Sequence, residues 1–175
     1  MRCRALVALA ALAAVTIGCS SGTTSGGGTG QSVVQATTPA PTTVQAGQAL
    51  NLDTSFLGTH QRATISLANV RVGVKPSNQF EKPERGQYIV ADVSVTVLEG
   101  EMSISSASFK FVAADGTIAN ATSMVDVTEI SAFDLAPGQK AAGSVVFDVA
   151  KGAEKGGKIA LTDVFATGDA GYWTL

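Results

Sequence analysis

Few side chains in this sequence are equipped for catalysis: there is one histidine, His60, and two cysteines, Cys3 and Cys19. A Ser-His-Asp system built on His60 needs its nucleophile on a structured turn, and no Gly-x-Ser-x-Gly occurs. Paired carboxylates are the other acid–base route. The nearest pair, Glu99 and Glu101, flanks Gly100 in a turn pattern and reads as a solvated turn. Imidazole and thioether together suit Cu(I), which singles out His60, Met102 and Met124. No two of these are neighbours in sequence, and lone methionines read as core filling. The expectation is a non-enzyme with no catalytic residue, no metal site and no cofactor.

Cys19 has a different chemistry. Residues 1–18 open with Arg2 and Arg4, continue as an apolar run from Ala5 to Ile17 that is too short to span a bilayer, and end at Gly18. This is the pattern of a secretory leader. The stretch Thr16-Ile17-Gly18-Cys19 resembles the lipobox of bacterial lipoproteins, in which the cysteine is diacylated and becomes the first residue after cleavage. The resemblance implies lipid attachment at Cys19 and an exported protein held on the outer face of the cell membrane. Two acyl chains are about what stable anchoring requires, each buried methylene contributing about 0.8 kcal/mol. With Cys3 discarded and Cys19 acylated, no thiol remains for a disulfide or a thiolate metal site.

The chain has 12 Lys and Arg against 14 Asp and Glu; losing Arg2 and Arg4 leaves ten against 14, a net charge of −4. That balance argues against nucleic acid as a partner. From Ser20 to about Gln48 the composition shifts to Ser, Gly, Thr, Gln, Ala and Pro, with no charged residue and few apolar ones. Such a segment buries too little to offset its chain entropy. Residues 19–57 are therefore expected to form a tether, with one folded domain over 58–175.

The domain is organised around Gln87–Leu98, where Ile89, Ala91, Val93, Val95 and Val97 alternate with Asp92, Ser94 and Thr96. Period-two alternation of β-branched residues marks a strand with one face in a core. Its first residues, Tyr88 and Val90, are apolar on the other face too, so that end is expected to be covered on both sides. Residues 63–74 alternate likewise, with a phase change at Ala68-Asn69 that suggests a bulge. Further strands are expected over 102–114, 117–124, 141–150, 158–163 and 172–175, with a weaker one over 125–130. Asp115-Gly116 signals a hairpin with positive φ at both positions. Short strands, turn signals and no amphipathic helix predict an all-β antiparallel sandwich of about seven strands.

The segments GQYIVADVSVTV, FKFVAADG and LAPGQKAAGSVVFDV resemble the immunoglobulin-like domain found in many bacterial and actinobacterial surface lipoproteins. That family is largely uncharacterised and includes a mycobacterial secreted immunogenic protein. The resemblance covers roughly residues 59–175 and implies an immunoglobulin-like sandwich. It brings no shared catalytic residues.

Two functions fit this reading. One is a non-catalytic interaction module whose loops contact a protein or an envelope polymer. The other is a carrier that holds a lipid or small apolar molecule between its sheets. Large apolar residues are few and Ala, Val and Gly are common, which suits a closely packed core and favours the module. The loop from Lys75 to Gly86 supplies the candidate contact residues Phe80, Lys82 and Arg85: an apolar anchor beside charges of both signs. Phe80 has one alternative, to fold back and plug the open end of the core.

Overall fold

The computed structural model describes residues 41–56, 59–162 and 168–175. The leader and Cys19 lie outside them. Among the described residues there are eleven strands and one short 3-10 turn, and no α-helix. Strands β1 (Thr42–Gln45), β2 (Ala49–Phe56), β3 (Thr59–Val74) and β4 (Gln87–Glu99) are followed by β5 (Met102–Ser105) and β6 (Phe109–Val112). Then come β7 (Ile118–Thr122), β8 (Ser131–Leu135), β9 (Lys140–Val149), β10 (Lys158–Thr162) and β11 (Asp169–Thr174).

Nine of these form a sheet in the order β1-β11-β10-β6-β7-β9-β4-β3-β2, and β5 pairs with β8 separately. The long sheet folds over on itself as a sandwich. Phe111 of β6 meets Phe147 of β9 across the interior with ring centroids 6.2 Å apart, and Phe109 meets Trp173 at 6.3 Å. The two ends of the strand order, β1 and β2, are consecutive in the chain. Their connection ties the layers together: Ala46 N–H donates to Thr174 O of β11 (2.9 Å) and Gly47 N–H to Leu67 O of β3 (2.7 Å). The Trp173 indole, fully buried, donates to Gln48 O at 3.0 Å.

The expected central strand is central. β4 lies between β3 and β9, and Ile89, Ala91, Val93, Val95 and Val97 all enter the main core. Tyr88 and Val90 enter a second, smaller cluster on the opposite face with Met124 and Val146. Burying a side chain of this size contributes about 1.5–3 kcal/mol, so each apolar position on that outer face favours a covering segment. The cover is residues 124–130. It crosses β9 so closely that a Cβ at Gly143 would stand 2.5 Å from the Ile130 backbone.

Four expectations need correction. The tether does not extend to residue 57, because β1 and β2 are strands of the sandwich. Among the side chains of β2 that are described, only Leu50 is fully buried; hydrogen bonding to β3 and β11, not local pattern, makes these residues strands. Residues 125–130 are not a strand but a turn, Val127 N–H donating to Met124 O (3.0 Å), with a single parallel bridge from Glu129 to Ser144. At Asp115-Gly116 only Gly116 has positive φ (86°). Asp115 keeps an ordinary backbone and accepts the Thr117 N–H with its carboxylate at 2.8 Å. The strand count rises from seven to eleven because β1 and β2 lie in the expected tether, β8 lies in a stretch for which no strand is expected, and residues 102–112 are split by the turn at Ser106–Ser108.

Candidate functional site

The loop between β3 and β4 is fastened near both ends. At its start, Ser77 N–H and hydroxyl both donate to Asp126 Oδ2, the N–H at 2.9 Å. Those two bonds hold the Asp126 carboxyl below its ordinary range. At its finish, Glu84 N–H (2.6 Å) and Arg85 N–H (3.1 Å) donate to the carboxylate of Asp148 on β9. Between them Asn78 caps a tight turn, its side-chain oxygen accepting the Phe80 N–H at 2.9 Å. Glu81 accepts the Val125 N–H at 3.2 Å, which brings the loop tip against the covering segment.

Phe80 does not plug the core. It is 86% exposed, and Val125, 70% exposed, stands beside this loop through the Glu81 bond. Lys82 is exposed in the same loop. Arg85 is drawn elsewhere: its guanidinium Nη1 donates to Ile118 O of β7 at 3.3 Å. The three expected contact residues thus divide. Phe80 and Lys82 belong to the exposed loop, joined by Val125, while Arg85 lies toward the end of the sandwich. Val125 was legible only as part of an expected strand.

Asp92, on the outer face of β4, is the hub of a polar network. Arg71 donates to it through both terminal nitrogens (3.0 and 3.2 Å), Asn69 at 3.1 Å and the Ser144 hydroxyl at 2.9 Å. The Arg71 bonds, foremost, hold the Asp92 carboxyl below its usual range against the opposing effect of burial. The bulge makes this possible: Asn69 sits at φ 48° and the β3–β4 register shifts between Ala68 and Arg71, so both residues reach one carboxylate. The network floors an open groove of about 630 Å³ walled by residues 126–128. Its charged groups are already paired, Arg71 with Asp92 and Asp126 with Ser77, which suits a clamp that seats the cover.

His60 lies at the opposite end of the β2–β3–β4 face. Its Nε2 is 2.7 Å from Asp53 Oδ1 and its Nδ1 3.2 Å from Glu99 Oε1. Two carboxylates can both accept only if both ring nitrogens carry protons, so the arrangement favours imidazolium and raises the His60 pKa, the Asp53 bond foremost. Arg62 also reaches Glu99 (3.4 Å). No group of three or more His, Cys, Asp or Glu among the described residues is arranged to hold a metal ion. Met102 sits in the main core and Met124 in the outer cluster, so the His60–Met102–Met124 set is not brought together.

A cavity of about 300 Å³ opens between the layers at the end where Arg85 lies. β7 pairs with β9 only through Ala121 and Thr122. Toward Ala119 no ladder joins the two strands, and small side chains do not fill the gap. Phe111, Ala119, Val149 and Ala153 line it, with Arg85 and Asp115 as its charged members.

A family model, that of the domain of unknown function DUF4352, matches residues 46–170. The chain belongs to the DUF4352 family. The match begins inside the turn between β1 and β2, in keeping with a domain that starts before residue 58. No curated protein matches the chain significantly. Among solved structures, a secreted protein from Mycobacterium tuberculosis, MPT63, superposes with a TM-score of 0.61 at 19% identity, over 79% of this chain and all of that one. The yjhA protein from Bacillus subtilis superposes with a TM-score of 0.52 at 14% identity, over 70% of this chain and 87% of that one. At these identities the likeness concerns the fold, a DUF4352 domain built as an all-β sandwich.

Proposed function

We propose that this DUF4352 protein is an exported lipoprotein, anchored through acyl chains on Cys19 to the outer face of the cell membrane. Its sandwich serves as a non-catalytic binding module for a protein or polymer of the cell envelope. The observation that carries the binding role is Phe80, almost wholly exposed on a loop fastened at Asp126 and Asp148. A loop already held in one shape loses little conformational freedom when it docks, and an aromatic anchor with a polar rim is the usual centre of a contact site. The secreted character of MPT63 is in keeping with export.

The test has two parts. Cys19→Ala should move the protein from the detergent phase to the aqueous phase; wild-type protein already in the aqueous phase would remove the anchor. Phe80→Ala with Lys82→Glu should lower recovery of the partner from envelope extracts while the melting temperature stays unchanged. Unaltered recovery would remove the contact site.

A second reading, in which the sandwich carries a small apolar molecule, has one observation in its favour. The cavity beside Arg85 lies between the sheets, where a carrier would need it.

A further inference from the structure

We propose that the cavity at the Arg85 end of the sandwich binds a small amphiphilic carboxylate, its hydrocarbon part between the sheets and its carboxylate on the Arg85 guanidinium. This rests on the carrier reading and gives it a ligand class.

The shape of the space comes from the strand pairing. β7 is laddered to β9 only at Ala121 and Thr122, so the layers are unjoined where Ala119 of β7 faces the same space as Val149 of β9. Ala113, Ala119, Ala150 and Ala153 leave the gap unfilled, and Phe111 gives it an aromatic wall. At about 30 Å³ per water in the liquid, a volume of about 300 Å³ holds roughly ten heavy atoms. That is a medium-length alkyl chain or a small ring, not a two-chain lipid.

The charge at the site is specified by which group has donors or acceptors to spare. Arg62 faces Glu99 and Arg71 faces Asp92. Among the described residues Arg85 has no carboxylate within ion-pair distance, and its guanidinium has one partner, the Ile118 carbonyl. A guanidinium has five N–H donors in a planar fork that matches a carboxylate. Asp115, the other charged residue of the lining, is already engaged: Thr117 donates to it from its backbone, and the carboxyl is held below its usual range by that bond and by the Thr117 side chain. Arg85 is thus the group left to meet a ligand, and it calls for an anion. Its backbone is fixed by Asp148, and its guanidinium, on an exposed residue, is held at the rim of the cavity by the Ile118 carbonyl.

The experiment is a titration of the purified full chain with octanoate, octanol and octylamine, followed by amide chemical shifts and calorimetry. Octanoate should bind saturably and move the signals of Ala113, Ala119 and Val149, with octanol weaker by about tenfold or more and octylamine weakest. Arg85→Gln should weaken octanoate about tenfold, the scale of one hydrogen bond to a charged group, and leave octanol unchanged. Ala153→Leu, at a half-buried turn position that need not disturb the sheets, should abolish binding of all probes while the melting temperature is retained. Octanoate and octanol binding equally would overturn the role of Arg85 and leave the carrier reading standing. Preference for octylamine would assign the charged end to Asp115 instead and overturn the proposal. No binding by any probe, or binding indifferent to Ala153→Leu, would overturn the cavity as a site and with it the carrier reading.

Discussion

The two ends of β4 have the same inner face and opposite outer faces. Ile89 and Val97 are both buried in the main core. On the outer side, the Tyr88–Val90 end is apolar and covered by residues 124–130, whereas the Ser94–Leu98 end is bare, with Leu98 and Ser94 exposed and the His60 ion pairs beside it. An apolar outer face requires a second layer to cover it. Here that layer carries Val125, and the loop fastened to it carries Phe80. A polar outer face needs only water and exposed ion pairs, which are worth little to stability. The exposed apolar side chains on which the proposed contact site rests, Phe80 and Val125, therefore gather at the covered end.

The largest effect should come from the face the two ends share. Val93 is 2% exposed in the main core, and Val93→Asp places an unpaired charge there, a loss of more than about 4 kcal/mol. The expected result is loss of the cooperative unfolding transition; a retained melting temperature would show that β4 faces the other way.

A smaller effect separates the ends. Met124 is buried against Tyr88 and Val90, and Met124→Ala should cost about 2–4 kcal/mol. Hydrogen exchange should then speed at the amides of Ser77 and Val125 before it speeds at β3. Equal acceleration at the His60 end would mean that the cover is not a separate layer.

The smallest effect belongs to the bare end. The His60 pKa is raised above its ordinary 6.5. A raised folded value means the stabilisation is fully present below the unfolded pKa and is lost as pH rises through the raised one. Glu99 is held below its ordinary 4.5, foremost by the bond from His60, and sets the acid limit, the contribution fading as pH falls through that lowered value. His60→Gln should lower the melting temperature slightly near about pH 5.5 and leave it unchanged near about pH 9. A difference that grows with pH would contradict the geometry.

The sequence shows β4, its facing and its double cover plainly, because Val, Ile and Ala alternate there without interruption. The bulge at Asn69 is legible as a break in phase, although the Asp92 network that it builds is not. β1 is hidden because Thr42–Gln45 shares the uncharged composition of the preceding segment and its partner β11 is remote in sequence; β2, although it forms a hairpin with β3, is hidden because Ala49–Phe56 is half polar and carries a single charge, Asp53. The turn at Ser106–Ser108 is masked by an alternating pattern that runs through it; Ser105 N–H to Ser108 Oγ (3.3 Å) closes it. Phe80 is legible as a candidate from loop length and residue type. Val125, brought to the same loop by the Glu81 bond, is not, since a β-branched residue after Met124 reads as strand until the turn closed by Val127 is seen. The cavity escapes notice for a related reason: alanines suggest close packing, and only the pairing of β7 with β9 shows where the layers part.

The most direct test of the central claim uses the two ends of β4 as each other's control. A photo-reactive amino acid is placed at position 80, at the covered end, or at position 98, at the bare end where Leu98 is likewise exposed, and intact cells are irradiated. A discrete cross-linked species from position 80 and none from position 98 is the predicted result. Equal cross-linking from both positions, or none from position 80, would contradict the assignment of recognition to the covered end.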